Sequence, residues 1–389
     1  MKYDVVIIGA SSAGLYVAEI LAKNGKRVAL FERAVSFAPE LRTYIITPRL
    51  FRVMSETGSD LIRHEITAIH LQATKSHAVI QLSSPDIVVE RSKLIKTLLN
   101  RAKNAGVDIH FGSEFKELIT DKGITRIKIL SNSDEKLIEA NYLIGADGVT
   151  SAVGKAANLP KPLTVPLLQV EINLPANWDP GVTKVWFDFV DTPYFYWLIP
   201  DSEKKAVVGL IAQPGVNIRV LLDRFLAEKD YHPLIYQSGK AALYSSRNRI
   251  ESQVGDLKIL LVGDAAGQVK VTTVGGTVTG FSGGQAAASA ILNEVPYRKT
   301  RQGVTRELDL HFFIRQLLEQ MNQKDYERLV GLLTPAVLSF LSRYDRDTMR
   351  QHFWMLPFIQ PAFIPLGLKL FISKLFHLPG NHKNSVRNL

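Results

Sequence analysis

The sequence predicts an α/β fold: a Rossmann-like dinucleotide-binding domain in two pieces, an antiparallel β-sheet domain inserted between them, and a helical carboxyl-terminal region. Three observations predict it. A βαβ unit with a glycine-rich first turn opens the chain, two later apolar strands end in Gly-Asp turns, and a strand-rich alternating stretch lies between those turns. The expected boundaries are 1–160 and 251–295 for the nucleotide-binding pieces, 161–250 for the sheet, and 296–389 for the helical region.

Val5-Val6-Ile7-Ile8 is a near-continuous β-branched run, as expected of a parallel strand buried on both faces. The apolar run stops at Gly9, too early for a secretory signal, so the amino terminus reads as the start of a domain. Leu15 to Lys23 then has helical spacing and stops at Asn24-Gly25. A second strand, Val28 to Phe31, ends at Glu32, completing a βαβ unit.

The first turn, Gly9-Ala10-Ser11-Ser12-Ala13-Gly14, is a G-x-G-x-x-G pattern with serine in the middle place. Gly9 permits the tight turn, Gly14 permits close helix–strand packing, and the helix amino end attracts a pyrophosphate. Ser11 adds a hydroxyl that can donate to a phosphate oxygen, and Ala13 lies within the same turn. Glu32, at the end of the second strand, is where a carboxylate accepts from ribose hydroxyls. A plain tight βα turn is the competing reading.

Two later segments sharpen the prediction. Tyr142 to Ile144 is a short apolar strand running into Gly145-Ala146-Asp147-Gly148, and Leu257 to Val262 is another, running into Gly263-Asp264-Ala265-Ala266-Gly267. Gly275-Gly276 and a small-residue helix from Thr277 to Ala290 follow. An aspartate after a buried strand, among residues too small to obstruct, can accept from a polyol. Asp147 and Asp264 can equally be helix caps.

In this order the three motifs resemble the FAD-dependent enzymes of the para-hydroxybenzoate hydroxylase fold type (the GR2 type of FAD domain), and Val262 to Gly280 resembles the geranylgeranyl reductase family. Val89 to Phe115 resembles a second family segment, with Arg91 where an arginine contacts the flavin nucleotide. The resemblance covers roughly residues 1–290 and implies bound FAD: the turn around Gly14 on the pyrophosphate, Glu32 on the ribose, and Asp264 on the ribitol. Gly275, Gly276 and Thr277 are then placed beside the isoalloxazine pyrimidine edge. Arg33, Arg42, Thr43, Phe115 and Asp147 complete the implied surroundings of the cofactor. Several positions depart from the family pattern: Thr43 replaces a Cys, Phe195 a Tyr, Gly154 an Arg, and Val271 and Val274 stand where Pro and Gly are usual.

Between Pro162 and Arg249 the pattern changes to short alternating strands separated by Pro, Asp and Gly turns. Phe187 and Phe189 share one strand face, and so do Phe195 and Trp197. Such a face is either a hydrophobic core or the lining of a pocket for a large apolar substrate.

Composition excludes several classes. There is no cysteine, hence no disulfide, iron–sulfur cluster or thiolate nucleophile, which suits a reducing cytoplasm. Nine scattered histidines show no metal-ligand spacing. Net charge is +10, and from Tyr297 onward fourteen Lys/Arg stand against seven Asp/Glu. No aromatic-interleaved basic cluster points to nucleic acid. Phe353 to Leu368 carries no charge but is interrupted by Pro357, Pro361 and Pro365, too short and broken to span a bilayer. Leu366 to Leu378 reads as an amphipathic segment with Lys369 and Lys374, suited to peripheral membrane contact or to docking on its own domain.

The expected function is reduction of carbon–carbon double bonds in an isoprenoid or similar lipid, with Tyr44 and Tyr196 as candidate proton donors. A flavin monooxygenase or halogenase acting on an aromatic or polyketide-like substrate is the first alternative. A non-redox flavoprotein or lipid-binding protein is the second. No second glycine fingerprint appears, so a nicotinamide, if used, binds transiently against the flavin; the reductant, NAD(P)H or ferredoxin, and the oligomeric state stay open.

Overall fold

In a computed structural model of the chain, which describes residues 2–36, 43–55, 59–131 and 134–376, two eight-stranded sheets stand side by side. The first is the nucleotide-binding sheet. Its parallel core runs Leu257–Leu261, Asp134–Gly145, Lys2–Ile8, Val28–Phe31, Asp108–His110. Glu251–Val254 closes one edge antiparallel, and the hairpin Ser113–Asp121/Ile124–Ser131 pairs with the outer half of Asp134–Gly145. The predicted β-branched run is fully buried, Val5 to Ile7 having no exposure at all.

The helices Ser12–Lys23 and Thr277–Leu292 pack on one another. The second can approach closely because it carries glycine: a Cβ at Gly284 would meet the Ala13 carbonyl oxygen at 3.4 Å. Tyr16 and Phe281 fill the remaining space, with ring centroids 4.7 Å apart.

The second sheet is larger than the segment 161–250. Its order is Pro233–Leu243, Leu163–Asn173, Lys205–Ile211, Tyr196–Pro200, Val182–Trp186, Ile62–Gln72, His77–Glu90, Thr43–Ile46. Three of these strands therefore come from within the stretch expected to be nucleotide-binding. The join, Val182–Trp186 with Ile62–Gln72, is parallel, while every other pairing is antiparallel. A parallel pair is made by chain segments far apart, so no turn signal marks it.

The carboxyl-terminal region is helical, including Gln302–Leu318, Gln323–Gly331, Pro335–Arg343 and Phe363–Leu375. Phe363–Leu375 docks Leu366 and Leu370 against Met321, Tyr326 and Phe189. Its other face stays uncovered, and with it Trp354 (63% exposed), Phe358 (78%) and Phe376 (71%). Among the described residues no single helix is long and apolar enough to cross a membrane, and the pair Met349–Ile359 and Phe363–Leu375 is bent by 114°. Leu378, the last residue of the expected amphipathic segment, lies outside the described residues.

Candidate functional site

A cavity of about 1480 Å³ is lined by residues of both sheets and of the carboxyl-terminal helices. Pockets for one small molecule usually enclose roughly 300–1,000 Å³. This one has room for two ligands.

Its polar end is built on the first turn. Gly9 has φ +104°, and a Cβ there would lie 2.5 Å from the Ala146 carbonyl oxygen. Only glycine fits. Gly14 does not reach the cavity: it packs on the turn itself, where a Cβ would sit 2.2 Å from the Gly9 oxygen. Ser11 proves to be the helix N-cap, its Oγ accepting from the Gly14 N–H at 3.1 Å. Its hydroxyl proton remains available to donate. Ser12 and Ala13 line the cavity as the first two helical residues, whose N–H groups a helix leaves without intrahelical partners. An anion is accommodated there by both charge and space.

Glu32 also lines this end, and its carboxylate accepts from the Ala10 N–H at 2.8 Å and the Ala34 N–H at 2.9 Å. Both oxygens are oriented by backbone and keep lone pairs for a ribose. Arg33, Arg91 and Phe115 lie along the same wall, Arg91 as the first residue of the helix Arg91–Asn104. Thr43 begins the strand Thr43–Ile46, and Arg42 lies outside the described residues.

The two later aspartates differ. Asp147 accepts from Ser151 Oγ at 2.6 Å and the Val153 N–H at 3.1 Å, so both its oxygens are engaged in bracing the amino end of the helix Ala152–Ala156, whose cap is Ser151. Burial pushes its carboxyl above the ordinary range against those hydrogen bonds. Asp264 is exposed to the cavity in the first turn of Gly263–Ala266. It adjoins Gly276, where a Cβ would be 2.9 Å from Val269 and 3.3 Å from Asp264 Oδ1. Gly276 caps the helix Thr277–Leu292 without a side-chain hydrogen bond, and Gly275, Gly276 and Thr277 all line the cavity. A second open helix amino end thus faces the same space.

The connecting loop carries strain. Val274 has φ +53°, a conformation a β-branched residue adopts at a cost of about 1–2 kcal/mol. Val274→Gly should raise stability by about 1 kcal/mol, read as a higher urea midpoint at unchanged slope. A lower midpoint would mean that the valine's apolar contacts outweigh its strain.

The other end of the cavity is apolar. Trp197 and Ile199 of the strand Tyr196–Pro200 line it, with Phe195 just before that strand and Phe187 just after Val182–Trp186, the Phe195 and Trp197 centroids 6.0 Å apart. Phe189 instead packs in the core beneath the carboxyl-terminal helices. Tyr196 is a correction. Strand alternation turns it to the opposite face, stacked on Phe225 at 4.2 Å, with its hydroxyl donating to Asp191 at 2.7 Å. Burial first, and then that bond, raise its pKa far above the tyrosine range, so it is no proton donor to the cavity. Tyr44 does line the cavity.

Sequence reasoning missed a charged cluster in the wall. Asp86, in the strand His77–Glu90, accepts from Arg346 at 2.5 Å, and Thr47 donates to Asp347 at 2.5 Å. Asp347 also pairs with buried Lys270. An aspartate within the strand sequence Ser-Ser-Pro-Asp-Ile-Val-Val was a usable signal. Nothing local tied residue 347 to residue 270.

The glycine turn, the unpaired helix N–H groups at Ser12 and Ala13 and the oriented acid Glu32 fit an FAD, which they would hold by its phosphates and a ribose. Comparison with known proteins agrees. The family model of the FAD binding domain matches residues 2–295. Digeranylgeranylglycerophospholipid reductase 2 of Methanopyrus kandleri is 29% identical over 320 residues, covering 75% of this chain and 78% of that protein. Geranylgeranyl diphosphate reductase of Rhodobacter capsulatus is 27% identical over 404 residues, covering 98% of each. Among solved structures, a geranylgeranyl bacteriochlorophyll reductase-like protein of Thermoplasma acidophilum superposes with a TM-score of 0.80 at 20% identity, over 94% of this chain and 99% of that one. A flavin-dependent brominase gives 0.71 at 16%, over 95% and 100%, and shares the fold. The expected α/β fold and its FAD are borne out: the chain belongs to the FAD binding domain family, as an FAD-dependent oxidoreductase of the geranylgeranyl reductase-like kind.

Proposed function

We propose that the protein reduces carbon–carbon double bonds in an isoprenoid or similarly large apolar substrate. One observation carries this reading: a nucleotide cradle and a long aromatic and aliphatic wall share one cavity. The names of the two reductases above point to the same substrate class. Bound FAD, once reduced by NAD(P)H or ferredoxin, supplies the hydride.

The chain's own residues do the rest. Phe187, Phe195 and Trp197 hold the hydrocarbon and exclude water, and Tyr44 supplies a proton from its hydroxyl. Arg343, an exposed residue of the same lining, offers a cation to an anionic head group. Asp264 and the amino end of Thr277–Leu292 orient the ribitol and the ring edge. To test the reading, the flavin is photoreduced without oxygen and a prenyl lipid is added. Reoxidation with formation of the saturated product is expected. Reoxidation that depends wholly on oxygen, with a hydroxylated or halogenated product, would overturn it.

The same reading places the carboxyl-terminal helices on a lipid surface, from which such a substrate is delivered. Trp354, Phe358, Ile364, Leu368, Leu375 and Phe376 expose large apolar area on helices in an otherwise basic region. Trp354→Glu with Phe358→Glu should lower flotation with anionic liposomes at least tenfold without changing flavin content. Equal flotation of the variant and the parent protein would remove the membrane from the proposal.

A further inference from the structure

The loop between the strand Leu257–Leu261 and the helix Thr277–Leu292 contains a lysine that is only 5% exposed. Lys270 donates its backbone N–H to the Gly275 carbonyl at 3.1 Å, which closes the loop into a narrow hairpin. Its side chain passes beneath that hairpin. A Cβ at Gly275 would be 3.6 Å from Lys270 Cε and 3.9 Å from Nζ.

The ammonium is held by Asp347, whose other oxygen accepts from the Thr47 hydroxyl. Three parts of the chain meet at this buried pair: the loop, the end of the strand Thr43–Ile46, and the segment following the helix Pro335–Arg343. The neighbouring charges are themselves paired, Arg346 with Asp86 and Asp345 with Arg52. A second tie, Thr272 Oγ1 to His311 Nδ1 at 2.6 Å, fixes the middle of the loop to the helix Gln302–Leu318. A lysine buried this deeply is costly to keep charged, and neither its pairing nor its place is needed to close the hairpin, which backbone already does.

We propose that Lys270 is a positioning residue that sets the reduction potential of the flavin. Asp347 fixes its ammonium under Gly275, where it presses the loop toward the ring and favours the negative charge that reduction adds at the pyrimidine edge. The proposal rests on the reading that Gly275 and Gly276 lie beside that edge. A buried charge acts on a neighbouring titrating or redox group through a low effective dielectric and is poorly screened by salt.

The experiment reads the midpoint potential of protein-bound FAD by equilibration with reference dyes, at one and the same pH for every variant. Lys270→Met, which leaves the Asp347 charge unbalanced, should shift the potential downward. Asp347→Asn, which leaves the lysine charge unbalanced, should shift it upward. Lys270→Arg, which preserves the charge, should stay near the parent value. Both neutralising variants break the same ion pair, so a merely structural tie would move them in the same direction, and that result would overturn the proposal. An unchanged potential in both would do so as well. If Lys270→Met does not accumulate, the sign of Asp347→Asn against the parent decides alone. Flavin content is read first in every sample: a parent protein that takes up no FAD would sink the cofactor reading itself, a failure distinct from that of the lysine.

Discussion

Gly9→Val should give protein that retains no FAD through desalting. The position has φ +104°, which for a β-branched residue costs about 1–3 kcal/mol, and the new Cβ would lie 2.5 Å from the Ala146 oxygen. That neighbour is backbone and cannot swing aside, because the Ala146 N–H is itself bonded to the Ile8 carbonyl at 2.8 Å within the parallel ladder. The turn must therefore move, carrying Ser12 and Ala13 away from the phosphates. Loss of about 3 kcal/mol of binding is roughly a hundredfold in Kd. Gly25→Ala is the control: it also has positive φ (+78°), but nothing lies within 4 Å of the added carbon. It should lose about 1 kcal/mol of stability and none of its flavin. Parent-like flavin content in Gly9→Val would show that the cofactor does not depend on this turn.

Tyr44→Phe should slow anaerobic reoxidation of the reduced flavin by a prenyl lipid about 10²–10⁴-fold, the usual worth of a general acid. An isolated alkene is a poor hydride acceptor unless a proton arrives at its other carbon. Tyr44 is the tyrosine that the strand Thr43–Ile46 presents to the cavity, in register with Val89 of the neighbouring strand. The phenylalanine ring keeps the packing, so flavin content and substrate affinity should be unchanged and the loss confined to the rate. A drop of less than tenfold would remove Tyr44 from the mechanism. Tyr196→Phe makes the contrast. It deletes the bond to Asp191 on the far face of the sheet, at a cost of about 1 kcal/mol of stability, and should leave the rate intact.

Those two tyrosines show what could be read in the sequence and what could not. The fingerprint turn was legible because its physics is local: a strand, a glycine that must adopt positive φ, a helix amino end and an acid, all within about thirty residues. The Gly-Asp turn at Asp264 was legible for the same reason. Asp147 was ambiguous, since a cap and a ligand use the same residue type after the same strand, and only the Ser151 and Val153 bonds separate them. Tyr196 was misplaced because alternation tells which residues share a face but not which face is wet. Phe195 and Trp197 were grouped correctly, and their neighbour had to point the other way. The strands Thr43–Ile46, Ile62–Gln72 and His77–Glu90 fall within the stretch expected to be nucleotide-binding yet join the second sheet, which no local mark announces. Lys270 and Asp347, seventy-seven positions apart, meet only through tertiary packing.

The parallel seam between Ile62–Gln72 and Val182–Trp186 also bears on how the protein is made. While the chain leaves the ribosome at about 5–20 residues per second, the earlier strand emerges first and waits several seconds for its mate. During that interval it offers an unpaired edge to any other nascent polypeptide. The cofactor is in the same position, since the acid at 32 is made well before the acid at 264. Riboflavin-starved cells should therefore accumulate more of this protein as aggregate, because a ligand that binds only the folded chain stabilises it against the unfolded one.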